Sequence, residues 1–217
     1  MYALRRVYKG VPGKGNKKIM KNIAILASGN GSNFAAIKRA IKDKKIKANL
    51  KLLVCDKLNA FVLKRAKKEK VKSVLIERRL FSSRANFENA IIAVLKENKI
   101  DLIVLAGFMR ILSSNFVKKY RNKILNIHPA LLPAFKGAHA IKDAFIYGVK
   151  YTGVTVHFVD EKTDHGPIIA QAIVPIVKKD TLKSLEAKIH KLEYQIYPAA
   201  INLVLKSKAR LKGRRVI

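Results

Sequence analysis

The chain has 217 residues, 49% of them apolar, and carries 46 Lys and Arg against 14 Asp and Glu, a formal charge of +32. That apolar content excludes a disordered chain, and the length suits one α/β domain. A lone cysteine excludes an internal disulfide framework, and no apolar run approaches the ~18–20 residues of a membrane span.

Residues 1–20 are basic, free of acidic side chains and hold Gly10, Gly13 and Gly15. They lack the apolar centre of a secretory signal, so they read as a disordered lead or an upstream start ahead of a second methionine, Met20. The first strand is expected at 23–27 and is followed by Ser28-Gly-Asn-Gly-Ser-Asn33 and a helix over 33–42. Strands at 50–55, 71–76 and 102–105 alternate with helices at 61–69, 84–98 and 114–120. A further strand is expected at 124–127 and a helix at 142–147. The first four strands each lead into a helix at crossover spacing, which predicts an α/β fold with a doubly wound, mostly parallel sheet. Strands at 154–158 and 168–174, joined by a turn at 160–166, are expected to add an antiparallel element at the sheet edge. Helices at 182–191 and 194–206 complete the chain. Residues 21–217 therefore read as a single domain, with Cys55 buried in an apolar strand.

In an open parallel sheet, ligands bind beyond the carboxyl ends of the strands. Three motifs fall there: Ser28–Asn33, Ala106–Leu112 and Asn126-Ile-His-Pro-Ala-Leu-Leu-Pro133. The glycines of the first let backbone N–H groups approach an anion, and Ser32 or Asn33 can cap the helix, whose N-terminus favours phosphate. A plain capped turn is the alternative. Phe34 stands where the dinucleotide fingerprint would place its third glycine. Asn126 and His128, two apart on a strand, point the same way. Asp164 follows in Thr163-Asp-His-Gly-Pro167. An amide, an imidazole and a carboxylate suit acyl transfer: oxyanion donor, proton mover and orienting charge. Each also has a structural alternative, as a loop amide, a satisfied histidine and a turn former. Arg84 could meet a carboxylate, and Glu193 a ligand amine or hydroxyl; either could instead be a solvated surface charge. The five histidines and one cysteine show no metal-ligand spacing, so no metal is expected.

These motifs, with Leu105–Leu112, Phe135-Lys-Gly-Ala-His139 and Val154–Asp160, closely resemble the phosphoribosylglycinamide formyltransferase family, the folate-dependent glycinamide ribonucleotide transformylases. The resemblance spans about Lys21 to Leu211. It implies transfer of the formyl group of 10-formyltetrahydrofolate, a cosubstrate rather than a tightly bound cofactor, to the amine of glycinamide ribonucleotide. It implies that Asn126 bonds the formyl oxygen, that His128 donates a proton, and that Asp164 raises the His128 pKa and helps shuttle protons. Gly31, Ser32 and Asn33 would hold the phosphate, with Glu193 beside the glycinamide substrate. Met109, Arg110, Ile111 and Leu112 would line the folate pocket. Arg84 would meet the folate, with Asp160–Asp164 over the pterin alongside Asn126. His165 departs from the small residue common at that turn. A cytoplasmic monomer or homodimer is expected, with small-molecule substrates and neither membrane nor specific nucleic-acid partners.

Two rivals share this core. A tRNA-directed formyltransferase would use the positive charge but is expected to need a further C-terminal domain, for which the chain shows no room. A formyltetrahydrofolate deformylase would usually carry an N-terminal regulatory domain. The scattered lysines read as decoration of solvated faces rather than as a nucleic-acid surface.

Overall fold

In the computed structural model, which describes residues 20–206 and 209–217, seven strands form one sheet. They are β1 (Lys21–Ala27), β2 (Ala48–Cys55), β3 (Ser73–Leu75), β4 (Leu102–Leu105), β5 (Ile124–His128), β6 (Tyr151–Phe158) and β7 (Ile168–Pro175). Their spatial order is β3-β2-β1-β4-β5-β6-β7. β1 to β5 run parallel, whereas β6 is antiparallel to both β5 and β7. The expected doubly wound sheet with an antiparallel edge is thus present. The expectation for residues 1–20 lies outside the described residues except for Met20.

β1 shows why the sheet is covered on both faces. Ile23, Ile25 and Ala27 enter one core with α1 (Ser32–Lys42), α2 (Phe61–Lys68) and α6 (Leu182–Leu205). Ala24 and Leu26 enter a second core with α3 (Arg84–Glu97) and α4 (Ser114–Lys119). All five β1 residues are fully buried. Period-two alternation with apolar residues at both phases makes an interior parallel strand. Burial of Ile23 and Ile25 contributes about 1.5–3 kcal/mol each.

α5 (Ala140–Tyr147) begins two residues before the expected position, and β3 is shorter than expected. Two differences are larger. The helices expected at 182–191 and 194–206 are one helix, α6, which runs through Pro198. Proline removes one backbone donor and crowds the preceding turn. Here Pro198 is buried, and the fully buried Tyr197 beside it donates its hydroxyl to the carbonyls of Leu105 (2.7 Å) and Leu125 (3.1 Å). Pro198 already lay within the second expected helix, and this anchoring holds it there; the break expected at 192–193 is absent, with Glu193 buried in the continuous helix. The other difference is a short hairpin, β8 (Leu211–Lys212) with β9 (Arg215–Val216), too brief to leave a strand pattern. No helix among the described residues is long and apolar enough to cross a membrane.

Candidate active site

The carboxyl ends of β1, β4 and β5 open on one rim, and β5 supplies two of its polar groups. Asn126 and His128 lie on the same face of β5, and the antiparallel register sets Asn126 opposite His157 of β6. Asp164 reaches them from the turn between β6 and β7. Its carboxylate lies 3.3 Å from His128 Nδ1, 3.4 Å from Asn126 Nδ2 and 3.8 Å from His157 Nε2. Gly137 N–H also donates to it at 2.9 Å. Burial pushes the Asp164 carboxyl up, but hydrogen bonding to His157 and Gly137 and the nearby His128 and His157 rings outweigh this. The group titrates below the usual carboxylate range. Its turn adopts φ +46° at Asp164, and a Cβ on Gly166 would fall 1.8 Å from the Phe158 carbonyl. Only glycine permits that close approach.

His128 is 3% exposed, with Nδ1 on Asp164 and Nε2 2.7 Å from the Phe135 carbonyl. Both ring nitrogens thus face acceptors, and a ring carrying both N–H groups satisfies both. His157, 2% exposed, donates Nδ1–H to the Phe158 carbonyl at 2.7 Å. Its Nε2 faces both Asn126 Nδ2 at 3.3 Å and the Asp164 carboxylate at 3.8 Å, and whether it carries a proton decides which of the two it bonds. His157 is a site residue that motif reading left unassigned. The signal was an ionisable side chain between Val156 and Phe158 in a strand whose other polar residues, Thr152 and Thr155, are uncharged.

The glycine turn is built differently. Gly31 takes φ +77° as the N-cap of α1, and no side chain caps the helix. The expectation that Ser32 or Asn33 caps it is therefore corrected: both fall inside the first turn. The first helical bond is Ala35 N–H to the Gly31 carbonyl, so the N–H groups of Ser32, Asn33 and Phe34 precede the helical ladder. Three such donors at the positive end of a helix dipole can receive an anion. Asn33 is nearly buried and donates Nδ2–H to Glu193 of α6 at 3.1 Å, which joins residues 160 apart in sequence. His190 lies 3.0 Å from the same Glu193 oxygen, and that hydrogen bond raises its pKa. Arg65 of α2 holds Asn30 through the carbonyl (2.9 Å) and the side-chain oxygen (2.8 Å).

The segment after β4 is fixed by side chains. Ser28 Oγ accepts from Met109 N–H at 2.8 Å. Arg110 donates Nε–H to the buried Asp56 at 2.6 Å. Arg84 donates Nη2–H to the Ile111 carbonyl and Nε–H to Glu88. Arg84 therefore braces the segment with Nη2 while Glu88 holds its Nε, and Nη1 has no partner among the described residues. Met109 and Ile111 point outward and are mostly exposed. Asp56 and Glu88 belong to none of the motifs and went unnoticed in the sequence. On the remaining wall, Asp160 accepts from His165 Nδ1 at 2.6 Å, and Arg214 of the C-terminal hairpin donates to the His165 carbonyl at 2.6 Å.

Residues 21–201 match the formyl transferase family. The chain is 47% identical to the phosphoribosylglycinamide formyltransferase of Bacillus subtilis, over 86% of this chain and 95% of that protein. Glycinamide ribonucleotide transformylase 1 of Symbiobacterium toebii superposes with a TM-score of 0.88 at 38% identity, covering 91% of this chain and 93% of that one. The corresponding enzyme of Geobacillus kaustophilus gives 0.84 at 45% identity, over 86% and 100%.

Proposed function

This chain belongs to the formyl transferase family, and from that premise we propose that it formylates 5′-phosphoribosylglycinamide. The donor is 10-formyltetrahydrofolate, and the products are 5′-phosphoribosyl-N-formylglycinamide and tetrahydrofolate, in de novo purine (IMP) biosynthesis. The observation that carries the reading is the meeting of Asn126, His128 and Asp164 within 3.4 Å contacts at one rim. Relatives bearing the phosphoribosylglycinamide formyltransferase name match almost end to end, which supports the same substrate pair.

The chemistry balances on these groups. The substrate amine attacks the formyl carbon, a C–N bond forms, and the carbonyl electron pair moves to oxygen. Asn126 donates Nδ2–H to that oxyanion; its present bonds to His157 and Asp164 are long and readily exchanged. His128 supplies a proton, and its Nε2–H must leave the Phe135 carbonyl to do so. Asp164 holds Nδ1 and orients the ring. The bond from carbon to the folate nitrogen then breaks, that nitrogen takes a proton, and the attacking amine gives one up. The bare helix start at Gly31, Ser32 and Asn33 receives the phosphate, with Glu193 beside the ribonucleotide. Met109, Arg110, Ile111 and Leu112 form the folate wall, with Arg84, Asp160, Asp164 and Asn126 around the folate.

Residues 21–217 act as one catalytic domain in this reading. The setting is the cytoplasm, where a lone buried thiol stays reduced. The folate is spent and released rather than retained. The test follows folate absorbance with 10-formyltetrahydrofolate, with and without the ribonucleotide. Turnover that requires the ribonucleotide is expected. Turnover with water alone would assign a deformylase, and no turnover by folded protein would refute the reading.

A further inference from the structure

Glu88 takes no part in the chemistry above, yet it is a carboxyl only 5% exposed. It lies one turn into α3. Its Oε1 accepts from Ser113 N–H at 2.7 Å and from Arg84 Nε at 3.1 Å. Its Oε2 accepts from the Ser113 hydroxyl, which itself accepts from Phe116 N–H at 3.2 Å. Through Arg84, whose Nη2 donates to the Ile111 carbonyl, the same carboxyl reaches a third point of the segment. One buried group thus holds residue 111 indirectly and residue 113 directly.

Taking a carboxylate out of water is costly unless donors surround it. Helix capping does not call for it here, because Ser83 caps α3 and Ser113 caps α4 with their own hydroxyls. What its donors share is the stretch of backbone from Ile111 to Ser113, the end of the 109–113 segment. A cavity of about 470 Å³ lined by Arg84, Glu88, Asn89, Ser113 and Phe116 borders the cluster. Arg84 and Ser113 therefore have room to move locally once the carboxyl is lost.

We propose that Glu88 is a positioning residue for the folate: it sets the 109–112 backbone and aims Arg84, and so governs folate affinity without touching the reacting atoms. The inference rests on the folate reading of this wall. Glu88→Gln keeps the shape, removes the charge and replaces one acceptor with a donor. Its steady-state constants are measured with each substrate varied, and tetrahydrofolate binding is measured by calorimetry, which needs no turnover.

The KM for 10-formyltetrahydrofolate and the Kd for tetrahydrofolate should each rise roughly tenfold, as expected for losing charge-assisted bonds. The ribonucleotide KM and kcat should move by less than about threefold. Glu88→Asp, which keeps the charge on a shorter stem, should fall between the two. An unchanged folate Kd, or equal shifts in both KM values, overturns the proposal. If Glu88→Gln does not fold, Glu88→Asp serves instead: its shorter stem pulls the carboxylate back from Ser113 and should show a smaller folate-only shift, and no shift would refute the idea. A wild-type protein that neither binds tetrahydrofolate nor consumes the formyl donor overturns the folate reading itself. Wild-type binding matched by equal binding in Glu88→Gln overturns only this inference.

Discussion

Two stretches of the rim, Ser28–Asn33 and Met109–Ser113, are built on opposite principles. The first is shaped by a glycine at φ +77° and left with uncapped helix donors. The second is held by side chains from three other elements: Ser28 after β1, Asp56 after β2, and Arg84 and Glu88 on α3. A glycine turn carries its geometry in its own residues. A side-chain-braced segment owes its geometry to positions far away in sequence. The first is therefore visible as a motif, whereas the second depends on partners no local pattern announces.

The largest effect should come from filling the glycine. A Cβ at Gly31 would lie 2.5 Å from Val62 Cγ2, and the backbone sits in the left-handed region. Gly31→Val should cost about 2–4 kcal/mol in denaturant unfolding, from backbone strain and overpacking. Its ribonucleotide KM should rise more than the folate KM; a larger folate shift would break the distinction between the two stretches.

The braced segment should respond more mildly and in the other substrate. Asp56→Asn weakens the hold on Arg110, which is itself 40% exposed, so solvent screens part of the loss. A cost of about 1–2 kcal/mol is expected, with the folate KM raised and the ribonucleotide KM unchanged. Thermal unfolding and kinetics with each substrate varied check both halves.

The smallest effect concerns His190. Its pKa is raised by the Glu193 hydrogen bond. A raised folded-state value means the associated stability is fully present below the ordinary histidine value, near 6.5, and is lost as pH rises through the raised one. His190→Gln should flatten that slope in unfolding curves taken across neutral to mildly alkaline pH. An unchanged slope would detach His190 from Glu193 and the ribonucleotide side.

Much of the fold was legible because its signals are local. β1 alternates two apolar phases, and each of the first four strands is followed by a helix before the next strand. The break expected at 192–193 is absent because Glu193 is buried within α6 against Asn33 of α1, a contact made across the fold. At the site, Asn126, His128 and Asp164 stood within recognisable motifs. His157 required knowledge of which residue faces Asn126 across an antiparallel pair. Asp56 and Glu88 required the three-dimensional path of the 109–113 segment.

The central claim is that Asn126, His128 and Asp164 act together on a formyl group. The most direct measurement is kcat for ribonucleotide-dependent formyl transfer in Asp164→Asn, with both substrates saturating. The amide keeps the size of the side chain and removes the charge facing His128 Nδ1. A loss of about 10²–10⁴ in kcat is predicted, the range of general acid–base contributions. A kcat within a few-fold of wild type, in a variant that folds normally, would contradict the account.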